Sequence, residues 1–257
     1  MARRLNALAI SPRTRRNLLV GFLALLAFGI AVIVAAYSRA CAGNSCPSIA
    51  ELGGYDPDQA SKVYAADGRL ITDLGLERRT VVPLEEMSPY IRAAFIITED
   101  KRFYEHHGID WYRVFGAIKN NIFKLRVAEG FSTITMQLAR NLWPEDISGR
   151  DKSVLRKLRE AQVARDIEAK YSKDKILELY LNQIDLGNRA YGVESASQRY
   201  FGKSARDLNV AEAATLAAIP KAPSRYNPRR NPNFNVQRRN TVLNLLRDNG
   251  VLTPEEA

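Results

Sequence analysis

The segment from Leu18 to Tyr37, LLVGFLALLAFGIAVIVAAY, runs for twenty residues without a charge. A hydrocarbon core of roughly 30 Å needs about twenty apolar residues in a helix, so this segment can cross a membrane. Five arginines precede it (Arg3, Arg4, Arg13, Arg15 and Arg16), with no acid to oppose them. The excess of positive charge on the N-terminal flank places the N-terminus in the cytoplasm. A cleaved signal peptide is the alternative, and Ala35-Ala36-Tyr37 and Ala40-Cys41-Ala42 are loosely compatible with cleavage. The apolar core of such a peptide is shorter, about 7–15 residues, which favours a retained anchor. In both readings everything after Tyr37 lies outside the cytoplasm.

The chain divides by composition into a basic tail (1–17), the spanning helix (18–37), a linker rich in Gly and Pro (38–61), a folded domain (62–234) and a C-terminal helix with the start of a further linker (235–257). At 46% hydrophobic and 26% charged it resembles ordinary folded proteins, so the domain buries a core. The net charge of +10 and pI near 9.7 suit a polyanionic partner. Half of that charge sits in the tail and the rest faces away from the cytoplasm, so no nucleic-acid partner is expected. Cys41 and Cys46 are the two cysteines. An oxidising compartment permits a short local disulfide between them; lipidation of Cys41 is a lesser alternative. With no histidine nearby they do not complete a zinc site.

Lys62 to Leu74 reads as two short strands around Asp67-Gly68, a hairpin signal. From Pro83 onward the pattern is helical. Ser88-Pro89 opens one helix, with Ile91, Ala94, Phe95 and Thr98 on its inner stripe. Asp110 to Arg126 forms a second, with Trp111, Phe115, Ile118, Ile122 and Leu125 on one face and basic residues elsewhere. Such a helix can lie on a membrane surface, but an ordinary amphipathic core helix is commoner and is the expectation. Ser132 or Thr133 caps a third helix ending near Asn141. Ser153 to Tyr171 is a fourth, and Ser172 caps a fifth that turns Ile176, Leu177, Tyr180, Leu181 and Ile184 to the core. Asn209 and Glu212 form a capping box, Pro220 to Pro232 is irregular, and Asn235 to Asn249 closes the series. Thr253-Pro254-Glu255-Glu256 resembles the start of one more helix, which suggests further chain beyond.

Several chemistries are disfavoured. His106 and His107 are adjacent and lack distant partners, so metal-dependent hydrolysis is not expected. There is no nucleophile elbow and no phosphate loop. Ser172-Lys173-Asp174-Lys175 matches Ser-x-x-Lys only by chance, because it sits at a helix cap and no Lys-Thr-Gly follows. What remains is carboxylates beside cations. Glu99-Asp100 ends an apolar helix, Arg156 and Glu160 lie four apart on one helix face, and Thr133, Gln137 and Arg140 share a polar face. An exposed Arg156–Glu160 pair would be an ordinary surface salt bridge. A basic face near two carboxylates instead suits a phosphate-bearing substrate with acid/base chemistry.

These residues carry a specific likeness. Glu99 to Gly108, EDKRFYEHHG, resembles the first signature of the family 51 glycosyltransferases. Gly130 to Asn141 resembles the second, Arg156 to Glu160 the third, Lys175 to Ala196 the fourth, and Ala213 to Pro228 the fifth. Met136 stands where many members carry glutamine, with Gln137 retained. The resemblance implies a mainly α, lysozyme-like, two-lobed helical domain with a small N-terminal β-hairpin and one transmembrane helix. It implies inverting transfer of a polyprenyl-pyrophosphate-linked glycan to the 4-hydroxyl of lipid II.

By motif position the resemblance makes Glu99 the general base and Glu160 the second catalytic glutamate. Asp100, Phe103, His106, Gly130, Ser132, Thr133, Gln137, Arg140, Asn141, Arg156 and Lys157 become substrate-binding candidates. Arg140, Arg156 and Lys157 are those for the pyrophosphate, while Glu178 and Asn182 are mainly structural. No cofactor is required and no metal site is expected, although a divalent cation, Mg or Mn, can bridge a pyrophosphate and a carboxylate. The implied partners are lipid II, the growing lipid-linked strand, the membrane and other cell-wall synthesis proteins. Two rival readings remain: a membrane-bound lysozyme-like enzyme that cleaves glycan, and a non-enzymatic anchored scaffold.

Overall fold

The computed structural model describes residues 11–42, 46–54, 57, 59, 61–67, 70–74, 78–124, 131–149, 151 and 153–257. Helix α1 (Pro12–Arg39) opens with Ser11 accepting from the Thr14 amide and Pro12 at its first position, where a missing N–H costs nothing. None of its residues is buried, and it is long and apolar enough to cross a membrane. Directly after it, Cys41 and Cys46 are disulfide-bonded, with Cα atoms 4.9 Å apart. The following segment is held against the domain: Leu52, in a 3-10 turn over Ile49–Gly54, enters the main core.

Strands β1 (Ser61–Tyr64) and β2 (Leu70–Leu74) pair antiparallel, Ser61 opposite Leu74, with an irregularity between Val63 and Tyr64. Gly68 of the expected turn lies outside the described residues. A two-residue parallel pairing joins β3 (Arg78–Arg79) to β4 (Ala190–Tyr191).

The helical body contains α2 (Pro89–Glu99), α3 (Trp111–Lys124), α4 (Ile134–Leu142), α5 (Val154–Lys170), α6 (Lys173–Gln183), α7 (Val193–Phe201), α8 (Val210–Ala217) and α9 (Pro232–Asp248). The mainly α expectation holds. Helix α6 is buried on nearly every face, from Ile176 to Gln183, and forms the central post. Its Tyr180 meets Phe95 of α2 edge-on, ring centres 6.2 Å apart. The Asn209–Glu212 capping box starts α8. Helix α9 begins at Pro232, three residues earlier than the sequence pattern indicates, because proline is preorganised for the first helical position. Its Val242 and Leu246 are buried in the same core, packed against α8 and α2.

One expectation is overturned. Helix α3 does not turn its aromatic face to the core: Trp111 is 60% and Phe115 67% exposed. Hydrophobic periodicity reports that a face is apolar, not what covers it. Leu125 and Arg126 lie outside the described residues.

Candidate active site

Glu99 is the last residue of α2, half-buried at the point where the helix gives way to a tight loop. Buried Asp100 builds that loop. Its carboxylate accepts from His106 Nε2 at 3.0 and 3.1 Å and from the Ile134 amide, at the start of α4, at 3.0 Å. Thr133 caps α4 and donates from Oγ1 to the Gly108 carbonyl at 2.7 Å. Gly108 has φ +82°, and a Cβ there would stand 3.0 Å from the Ala164 backbone, so the loop can lie on α5 only with glycine at this position.

The expected substrate contacts do not all face the cleft. Asp100, Phe103 and Thr133 are fully buried, and they hold the loop that aims Glu99. Phe103 packs in the main core, with the Lys173 ammonium 4.4 Å from its ring centre. His106 lines a separate cavity, and Gly130 lies outside the described residues.

Among the described residues the Glu99 carboxylate has one fixed partner. Gln137, on the buried side of α4, donates from Nε2 to Glu99 Oε2 at 2.9 Å, and its Oε1 accepts from the Tyr180 hydroxyl at 3.3 Å. Burial, then the nearby Glu99 charge, pushes the Tyr180 phenol well above its ordinary range. The phenol therefore stays protonated and donates, which fixes the amide with its NH₂ toward Glu99. Arg113 of α3 anchors the same corner by donating to the Glu99 carbonyl at 2.7 Å.

Glu160 is fully buried on α5, so the pair with Arg156 is no surface salt bridge. Arg156 bonds Glu160 Oε1, Lys157 reaches Oε2 at 2.6 Å, and Arg140 of α4 approaches Oε1 at 3.4 Å. Three cations around one carboxylate leave an excess of positive charge. Burial pulls the Lys157 ammonium below its ordinary value, against the opposing pull of Glu160. Lys157 also donates to Ser132 Oγ at 2.6 Å. Arg156 Nε is buried and makes no hydrogen bond, so the cluster retains a donor.

A cleft of about 460 Å³ brings together Glu99, Gln137, Ser132, Arg140 and Arg113. Two further cations line it, Lys221 and Arg238. Neither was singled out from the sequence. Lys221 sits inside the fifth motif, where its charge was the available signal. Arg238 lies on α9, outside every motif, and only the return of that helix over α2 and α8 brings it here. Thr98, assigned to the inner stripe of α2, is also on this wall. Asn141 faces an adjoining cavity of about 520 Å³, which shares Arg140 with the cleft.

Glu178 and Asn182 work at a distance from this cleft. Glu178 accepts from the Leu84 amide at 3.1 Å, and the Asn182 amide exchanges bonds with the N–H and C=O of Val82 at 3.1 and 2.9 Å. They tie α6 to the segment entering α2. Both Glu160 oxygens are engaged by cationic side chains, and no group of three His, Cys, Asp or Glu residues placed to hold a metal ion occurs among the described residues.

The sequence matches the family model described as Transglycosylase over residues 67–247. It is 45% identical over 205 residues to penicillin-binding protein 1A of Aquifex aeolicus (strain VF5), covering 80% of this chain and 28% of that protein. It is 44% identical over 217 residues to penicillin-binding protein 1F of Bacillus subtilis (strain 168), covering 82% and 30%. A crystal structure of penicillin-binding protein 1A from Haemophilus influenzae is 29% identical and covers 79% of this chain and 20% of that one, with a TM-score of 0.45. The chain thus spans less than a third of the length of these relatives. A match across most of the folded domain, with all five motifs inside or overlapping it, means that this chain belongs to the transglycosylase family, glycosyltransferase family 51.

Proposed function

We propose that this chain is a membrane-anchored peptidoglycan glycosyltransferase that polymerises lipid II. The observation that carries this reading is the site's two-part charge: a half-exposed Glu99 held by a neutral amide, and a buried Glu160 surrounded by three cations. Glu99 Oε1 makes no hydrogen bond among the described residues, which leaves it free to accept the acceptor's 4-hydroxyl proton. As that proton moves to Glu99, the hydroxyl oxygen bonds to the donor's anomeric carbon. The bond to the pyrophosphate breaks on the opposite face, and the leaving group departs with the electron pair. General-base help of this kind contributes about 10²–10⁴-fold.

Arg140, Arg156 and Lys157 hold the departing pyrophosphate, where charge-assisted hydrogen bonds are strongest in a water-poor site. Glu160 keeps those three side chains gathered, and Ser132 fixes the Lys157 ammonium. A glycan-cleaving enzyme acts on a neutral chain and has no use for such a cluster at its leaving group. In this reading α1 spans the cytoplasmic membrane with its N-terminus inside, and the exposed face of α3 lies on the outer surface beside lipid-linked substrates.

The test is Glu99→Gln in the purified chain, supplied with labelled lipid II. The variant binds lipid II but forms no polymer, whereas the unchanged chain forms long glycan. Full polymerisation by the variant, or cleavage of sacculus by the unchanged chain, would overturn the reading.

A further inference from the structure

A third cavity, of about 620 Å³, lies where the loop after α2 meets the start of α3 and α5. It shares no lining residue with the Glu99 cleft. Its position relative to α1 is defined. Arg165 of α5, on its wall, donates from Nη1 to the Tyr37 hydroxyl at 3.2 Å and sits 5.9 Å from that ring. Tyr37 closes the apolar run of α1, so this wall stands where a spanning helix leaves the hydrocarbon. At the same cavity Trp111 and Tyr112 are 60% and 78% exposed. Aromatic side chains of this kind concentrate at the membrane–water interface.

The charges of the cavity separate into committed and free. Arg102 and Asp110 are bonded to each other through two contacts, Nε to Oδ2 at 3.1 Å and a closer one from Nη2. Asp110 also accepts from the Arg113 amide at 3.0 Å. That pair is neutral and internally satisfied. Glu105 is exposed and makes no ion pair among the described residues, while its charge acts on Arg102. Arg165 is exposed and keeps donors beyond the one given to Tyr37. His106 Nδ1 is buried without a hydrogen bond, its Nε2 being held by Asp100. Arg165, Glu105 and the exposed rings of Trp111 and Tyr112, the latter with the Arg102 guanidinium 4.5 Å over one face, complement a ligand that carries both a phosphate and an ammonium. A headgroup with negative charge alone would leave Glu105 facing a phosphate.

We propose that this cavity holds the headgroup of a zwitterionic membrane phospholipid of the ethanolamine type, its phosphate on Arg165 and its primary ammonium on Glu105. The lipid acts as a second tether beside α1, fixing the height and tilt of the domain over the bilayer. The proposal rests on the anchored reading of α1 and is independent of the transfer chemistry.

The test uses the full chain in detergent, titrated with phosphatidylethanolamine or phosphatidylglycerol of identical acyl chains, with bound lipid counted by native mass spectrometry. The expected result is one ethanolamine lipid retained per chain with about tenfold preference over the glycerol lipid. Glu105→Gln removes the preference, and Arg165→Gln weakens both lipids about tenfold. Both positions are exposed, and unchanged circular dichroism checks that the variants fold. Equal binding of the two lipids, a preference for the glycerol lipid, or variants that bind like the unchanged chain would overturn the proposal. So would displacement of the lipid by soluble phosphoethanolamine at equal concentration, which would point to a soluble ligand. Because binding is counted without turnover, a chain that retains the lipid but makes no glycan would defeat the transferase reading and leave this one standing.

Discussion

Gln137 donates to Glu99 at 2.9 Å from the buried face of α4, and its orientation is set by a phenol it does not share with solvent. Removing the Tyr180 hydroxyl leaves the Gln137 oxygen without its donor and frees the amide to rotate. Tyr180→Phe is expected to lower kcat with little change in KM, because the substrate never meets Tyr180. It should also cost about 1 kcal/mol in urea unfolding, the usual net value of one hydrogen bond. Steady-state polymerisation kinetics beside a denaturation curve check both.

Glu160→Gln removes the counter-charge from three gathered cations. Breaking a buried ion pair from one side costs about 3–5 kcal/mol. The variant should therefore melt at lower temperature. Inorganic pyrophosphate should restore more of its stability than it adds to the unchanged chain, since it supplies the missing negative charge. Thermal unfolding with and without pyrophosphate checks this.

Acid stability should depend on Asp110. Burial pushes its carboxyl up, but bonds from Arg102 and the Arg113 amide outweigh that and hold it below its ordinary 3.8. The unfolded chain takes up the proton near pH 3.8, while the folded chain resists to lower pH. The contribution is thus present in full above that value and is lost as pH falls through the lowered one. Asp110→Asn should be less stable near pH 6 and lose less stability between pH 4 and 3, as urea midpoints across that range will report.

Trp111 should be in lipid. In vesicles containing brominated phospholipid, its fluorescence should be strongly quenched in a Trp143→Phe background, leaving Trp111 as the sole tryptophan. A signal unaffected by bromination would mean that the exposed face of α3 is covered by something other than membrane.

Gly108→Ala should destabilise the domain by about 1–3 kcal/mol, combining a left-handed backbone with a Cβ pressed on α5. Glu99 is aimed by the same loop, so activity should fall further than the loss of folded protein explains. Comparing specific activity with the folded fraction separates the two.

Much of this protein was settled along the chain. The run from Leu18 to Tyr37, the caps at Ser88, Ser172 and Asn209, and the inner residues of α6 are local or periodic features. Such features are legible because capping and side-chain periodicity depend only on near neighbours. The five motifs likewise marked the strip of sequence that holds Glu99 and Glu160. Tertiary structure alone decided which marked residues face a cleft. Asp100, Phe103 and Thr133 went inside to brace a loop, while Arg238, marked by nothing, came to the wall on a returning helix. It also decided that the aromatic face of α3 stays uncovered and that Glu160 is a buried centre of charge rather than a surface partner. The physical reason is common to these cases: burial and charge pairing are set by which distant segments pack together, and a residue's type and spacing do not encode its long-range neighbours.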